Sequence, residues 1–259
     1  MPTTTTPPHL QISKVGIVSR NYSYKFENGY RDFSYALPSV IKLLDDRKCD
    51  AILFSLYTIV PRKGNDYTKM FSELKNIKAI FIEEFQDCIP REVNRYVVFS
   101  HASGGWKEYE LHQKFATLTG MEKSDILHFV SDEIPKRILG NSIVLLCGES
   151  NGVKYSKNDK LVHDTYGFER AIPKDVNIVL NPVHDRMTRF EMNLKREFLS
   201  KNNRWVISVW NKGKQDRNGN IKDGFDPAWT AYHNGAKKLI EPISNNYHLE
   251  IGIIDSTNK

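Results

Sequence analysis

The segment Asp50-Ala51-Ile52-Leu53-Phe54-Ser55 is apolar at nearly every inner position over the length of one strand. A strand half exposed to water would alternate, so the pattern is that of a strand covered on both faces. The same style recurs in Lys78–Ile82, Arg95–Ser100, Ile143–Cys147, Asp175–Pro182 and Arg204–Asn211. Between and before these runs the period changes. Lys14–Ser19 reads as a first strand, and Tyr30–Asp46 reads as a helix, with Phe33, Leu37, Val40, Ile41 and Leu44 at helical spacing. Pro38 inside it predicts a kink or a late start. Tyr67–Leu74 and Arg186–Ser200 give further helices, and His248–Asp255 alternates like an edge or sheet-closing strand. About ten strands and at least three helices, without a tandem repeat, predict an α/β layered domain with sheets inside and helices outside.

Length and composition agree with that scheme. A chain of 259 residues, 40% hydrophobic and 26% charged, can bury a substantial core. Residues 1–12, opening with Met1-Pro2 and four threonines, lack the basic start and apolar centre of a secretory signal and are expected to be a disordered lead; residues 13–259 are expected to form a single domain. No stretch is long and apolar enough to span a bilayer. Three widely spaced cysteines, Cys49, Cys88 and Cys147, suit a reducing cytoplasm better than a disulfide framework. The net charge of +6 permits nucleic-acid binding without establishing it, because the basic residues are scattered. The densest run, Lys212 to Lys222, is broken by Gly213, Gly219, Asn and Asp and reads as a solvated loop.

Chemistry is most concentrated at Ile143-Val144-Leu145-Leu146-Cys147-Gly148-Glu149-Ser150, where an apolar strand delivers a thiol to a small polar turn. Two readings stand: a buried, inert core cysteine, or a nucleophile presented in a cleft. A thiol has an ordinary pKa of about 8.5, so a nucleophile needs a neighbouring base or cation. Lys114 among polar residues reads as a surface lysine, and Glu122, followed by Lys123 and Asp125, as a helix-start acid. His184, in Asn181-Pro182-Val183-His184, has no second ligand at metal-binding spacing and is a candidate pocket residue. Trp106, Trp205, Trp210 and Trp229 read as packing anchors. Gly104-Gly105 lacks the lysine and hydroxyl of a phosphate loop, and no dinucleotide fingerprint occurs, so neither a nucleotide cofactor nor a metal is indicated.

Taken in order, the Lys-bearing loop, the Cys-bearing strand, the strand ending Asn181-Pro182 and the long helix feeding a strand that ends at Asn211 resemble the nitrilase or carbon-nitrogen hydrolase superfamily. The resemblance runs over almost the whole chain. It implies a four-layer α-β-β-α sandwich, a homo-oligomer, and cleavage of a small amide or nitrile through a covalent thioester-type intermediate without cofactor or metal. Carried across, Cys147 is the nucleophile, Lys114 the oxyanion stabiliser and Glu122 the second acid, while Gly148, Glu149 and His184 border the substrate. Gly148 departs from the family's usual aromatic, which opens or alters the pocket wall.

One departure is sharper. The family's first glutamate follows an apolar strand, and the corresponding position here is Leu56, after Phe54-Ser55. Leucine cannot accept a proton. Three explanations stand: another carboxylate (Glu83, Glu84, Glu122 or Glu149) takes over, the enzyme works by an altered mechanism, or the chain is a catalytically silent binding or regulatory module. Aligning Ile80–Glu84 with the glutamate-bearing strand is the second choice, because it leaves little chain before Lys114.

Overall fold

A computed structural model describes residues 10–21, 33–56, 58–59, 67–84, 95–102, 105–184, 190–213, 218–220, 227–243 and 249–257. Most of the expected lead, Cys88, Gly104 and much of the Lys212–Lys222 run lie outside the described residues.

The first half builds β1 (Lys14–Arg20), α1 (Leu37–Asp46), β2 (Ala51–Phe54), α2 (Tyr67–Phe71), β3 (Ala79–Glu84), β4 (Arg95–Ala102) and β5 (Gly105–Leu111). The second half builds α3 (Lys123–His128), α4 (Ile134–Lys136), β6 (Ile138–Leu139), β7 (Ser142–Val144), β8 (Lys154–Tyr155), β9 (Val162–His163) and α5 (Phe168–Ala171). It continues through β10 (Ile178–Pro182), α6 (Phe190–Leu199), β11 (Trp205–Val209), β12 (Trp229–His233), β13 (Ala236–Lys238) and β14 (Leu249–Asp255).

Two six-stranded sheets result, ordered β14-β1-β2-β3-β4-β5 and β13-β12-β11-β10-β7-β6. In each, the fully apolar runs pair in parallel at the centre: β1, β2 and β3 in one, β7, β10 and β11 in the other. These central strands need cover on both faces, and they receive it. Side chains such as Leu53, Phe81, Val144, Leu180 and Ile207 fill the space between the sheets. Their neighbours of opposite parity, Ile52, Ile80 and Ile82, pack beneath α1 and α2, and Ile143, Val179 and Val206 pack with Phe129, Phe168 and Leu199 on the far side. The fold is therefore the expected α-β-β-α sandwich.

Helix α1 shows why Pro38 is tolerated. The helix starts late, after a 3-10 turn at Ser34–Ala36, so the proline sits in the first turn, where its missing N–H has no partner to lose. Leu37, Val40, Ile41 and Leu44 then form one buried face, and a Cβ at Gly16 would come 2.7 Å from the Leu44 side chain, so glycine lets the helix lie close on β1.

Two expectations change. Leu10 and Ile12 are not the tail of a loose lead: both are buried, and Ile12 exchanges hydrogen bonds with the Asn141 side chain, N–H to Oδ1 at 2.8 Å and Nδ2 to C=O at 2.7 Å. The domain thus begins before residue 13. The β12–β13 hairpin is additional, turning on Asn234 and Gly235, both at positive φ, the backbone that a two-residue Asn-Gly loop favours.

Candidate active site

Strands β3, β7 and β10 bring their C-terminal ends to one side of the sandwich. Cys147 lies three residues beyond the end of β7 and adopts φ 33°, a left-handed conformation that a residue with a Cβ rarely takes. Strain of this kind persists only where surrounding contacts impose it. Here they are plain. Asn181, at the end of β10, donates from Nδ2 to the carbonyls of Leu145 at 2.6 Å and Cys147 at 3.2 Å, and is oriented by the Ser208 hydroxyl at 3.0 Å. Glu149 closes the turn from within, accepting the Leu146 N–H at 2.8 Å. The Cys147 side chain is half-buried against Val183, Trp210 and Ala228.

The group that meets the thiol is His184. The Cys147 side chain stands near enough to act on its ring, and its Nε2 lies 3.1 and 3.3 Å from the two carboxylate oxygens of Glu83. Glu83 is buried, from a strand 101 residues earlier. Burial works to lower the imidazole pKa, but the neighbouring Cys147 side chain and then the bond and charge of Glu83 outweigh it and push the value up to about 9. The loop carrying His184 is fixed by Asn211 after β11, whose Nδ2 donates to the carbonyls of His184 and Leu56, each at 3.0 Å. The Asn211 Oδ1 accepts from Ser55 Oγ at 2.7 Å and Arg20 Nε at 3.1 Å, so one amide ties both sheets together beneath the histidine.

The remaining expected site residues fall elsewhere. The Lys114 amine pairs with Glu133 at 3.2 Å, not with Cys147, and its side chain is 43% exposed. Glu122 is exposed at the start of α3 and makes no capping bond with its side chain. The expected meeting of thiol, lysine and Glu122 is therefore corrected at both contacts: His184 meets the thiol, and Glu133 meets the lysine.

Glu149 is sealed rather than open to a cleft. It has 0% exposure, pairs with Arg137 at 2.7 Å and accepts the Lys114 N–H at 2.8 Å. Burial raises its carboxyl to about 7 against the opposing pull of Arg137 and the two backbone N–H groups. Gly148 is likewise no pocket opening. A Cβ there would lie 2.0 Å from the Ala116 carbonyl oxygen, so glycine is required by the close approach of the Lys114–Ala116 backbone. Leu56 is buried in the core between the sheets.

His184 and Glu83 thus emerge together, and the sequence held a signal for the second. Along β3, Ala79, Phe81 and Glu83 share one parity, and Ala79 and Phe81 face the space between the sheets; Glu83 at the end of that row therefore points inward. Among the described residues, no group of three or more His, Cys, Asp or Glu side chains is arranged to hold a metal, and no helix is long and apolar enough to cross a membrane.

Among solved structures, the chain is similar to a carbon-nitrogen hydrolase from Helicobacter pylori G27 (11% identity, covering 96% of this chain and 91% of that one, TM-score 0.49). It is also similar to an amidase from Nesterenkonia sp. (11% identity, 99% and 97% covered, TM-score 0.44) and to a glutamine-dependent NAD(+) synthetase from Cytophaga hutchinsonii (8% identity, 94% and 43% covered, TM-score 0.46). No family model and no curated protein matches the sequence.

Proposed function

We propose that the protein is a cysteine-dependent hydrolase that opens the carbon–nitrogen bond of a small amide, with Cys147 as nucleophile, His184 as proton carrier and Glu83 holding the imidazole. The observation that carries this reading is the His184 ring held at Nε2 by the buried carboxylate of Glu83, with the Cys147 side chain near enough to act on the same ring. A nucleophile within reach of a base that is itself oriented by a third group is the arrangement that thiol and hydroxyl hydrolases share. The motif order that resembles the carbon-nitrogen hydrolases supports the choice of bond.

In this mechanism the thiol gives its proton to His184, and the Cys147 sulfur attacks the carbonyl carbon. The carbon–nitrogen bond then breaks as the imidazolium returns the proton to the departing nitrogen, leaving a thioester. A water molecule next gives its proton to His184 and attacks the thioester, releasing the acid and restoring the thiol. Glu83 stays ionised and stabilises the imidazolium. The reason for expecting a silent binding module, the absence of a base at Leu56, loses its force once His184 takes the proton; Lys114, committed to Glu133, is assigned no step.

The test is alkylation with iodoacetamide near neutral pH. Cys147 should react much faster than Cys49, whose thiol burial pushes up to about 12, and Cys147→Ala should abolish both fast labelling and amide turnover. Equal, slow labelling of the cysteines would end the proposal.

A further inference from the structure

Tyr96 stands directly opposite Glu83 in the antiparallel β3–β4 ladder. Cross-strand partners share a face, and that face is the interior: Tyr96 is 2% exposed and belongs to the cluster between the sheets that contains Leu146 and against which Cys147 packs. Its hydroxyl is buried and has no hydrogen-bond partner among the described residues. A buried hydroxyl is normally satisfied, and phenylalanine would fill the same space without the penalty of an unmade bond. The unpaired group therefore asks for an acceptor that arrives from outside.

The position says which acceptor. Strand β11 lies against β1 and β10 against β2, so the next strand of the second sheet, β7, runs over β3 toward β4. The end of β7, with Cys147, thereby stands over the ends of β3 and β4, where Glu83 and Tyr96 sit side by side. We propose that the Tyr96 hydroxyl is the donor that holds the substrate carbonyl oxygen as negative charge develops on it during attack by Cys147, the place that the sequence resemblance gives to Lys114. This rests on the Cys147–His184–Glu83 reading. Burial, and after it the charge of Glu83, raises the phenol well above its usual pKa, so the group keeps its proton and acts as a donor, not as a base.

Two probes separate this role from the triad's. Displacement on iodoacetamide creates no oxyanion and reports only the activated sulfur, whereas acylation by p-nitrophenyl acetate passes through a tetrahedral oxyanion. Tyr96→Phe should alkylate at the parent rate and acylate about a hundredfold more slowly, the scale of losing one oxyanion donor. Unchanged acylation would overturn the assignment. So would a parallel fall in both rates, which would mean that Tyr96 acts through the His184–Glu83 pair. Trp210 Nε1, another buried donor without a partner among the described residues, sits beside Cys147; a loss of acylation in Trp210→Phe but not in Tyr96→Phe would move the role there. A parent that alkylates selectively at Cys147 but is not acylated refutes the donor alone, and a parent whose Cys147 shows no selective alkylation refutes the triad and the donor together.

Discussion

Glu83 and Glu149 are both buried carboxylates paired to a cation near Cys147, yet the two pairs do opposite things. Glu83 faces an imidazole, a group able to gain and lose a proton at ordinary pH, and that imidazole reaches the sulfur. Glu149 faces the guanidinium of Arg137, which is always charged, and both side chains are shut off from water at 0% and 1% exposure. The first pair can pass a proton, while the second can only hold the turn in place. Proximity to Cys147 in sequence is thus a poor guide to contact: Glu149, two residues from Cys147, braces the turn, and Glu83, far along the chain, is the acid that meets His184.

The comparison breaks if the two pairs respond alike to mutation. His184→Ala should lower amide turnover by about two to four orders of magnitude, the range of general acid–base catalysis, and Glu83→Gln should lower it in the same direction. Turnover at the parent level in His184→Ala would remove the first pair from the chemistry. Glu149→Ala should show the reverse emphasis: it leaves Arg137 buried without a counter-charge, which costs about 3–5 kcal/mol of stability, read from urea denaturation. A stable Glu149→Ala protein that had lost only activity would make Glu149 a site residue after all. Gly148→Ala, forced against the Ala116 carbonyl oxygen, should cost about 1–3 kcal/mol by overpacking, and a protein as stable as the parent would return Gly148 to the pocket wall.

The dependence of stability on pH sharpens the contrast. His184 has a folded pKa of about 9 against an ordinary 6.5, so its contribution is complete below about 6.5 and disappears as pH rises through about 9. The Glu149 carboxyl is raised from 4.5 to about 7, so its contribution is complete below about 4.5 and disappears as pH rises through about 7. Urea titrations across pH should show two separate declines, the upper one missing in His184→Ala and the lower one missing in Glu149→Gln. A single decline shared by both variants would show that the pairs titrate as one.

Much of the architecture was legible. The unbroken apolar runs of β2, β3, β10 and β11 announce two-sided burial, and the rows at i, i+3, i+4 and i+7 in α1, with Pro38 forcing the late start, announce the covering helix. The β12–β13 hairpin was not among the expected strands, although its Asn234-Gly235 turn is a local signal. Strand β5 was not, because its side chains are half-buried or exposed along its whole length and carry little apolar signal.

By itself, then, the sequence determined where the central strands and the helix α1 run, which faces they bury, and that a cysteine lies just beyond an interior strand, because burial is written in spacing that a few consecutive residues display. Tertiary structure decided the chemistry. Whether Lys114, Glu133, Glu149, His184 or Glu83 reaches the sulfur depends on how two sheets stack and on which loops end at the same edge. That pairing of groups 101 residues apart is set by the packing of both layers, and no local pattern can carry it.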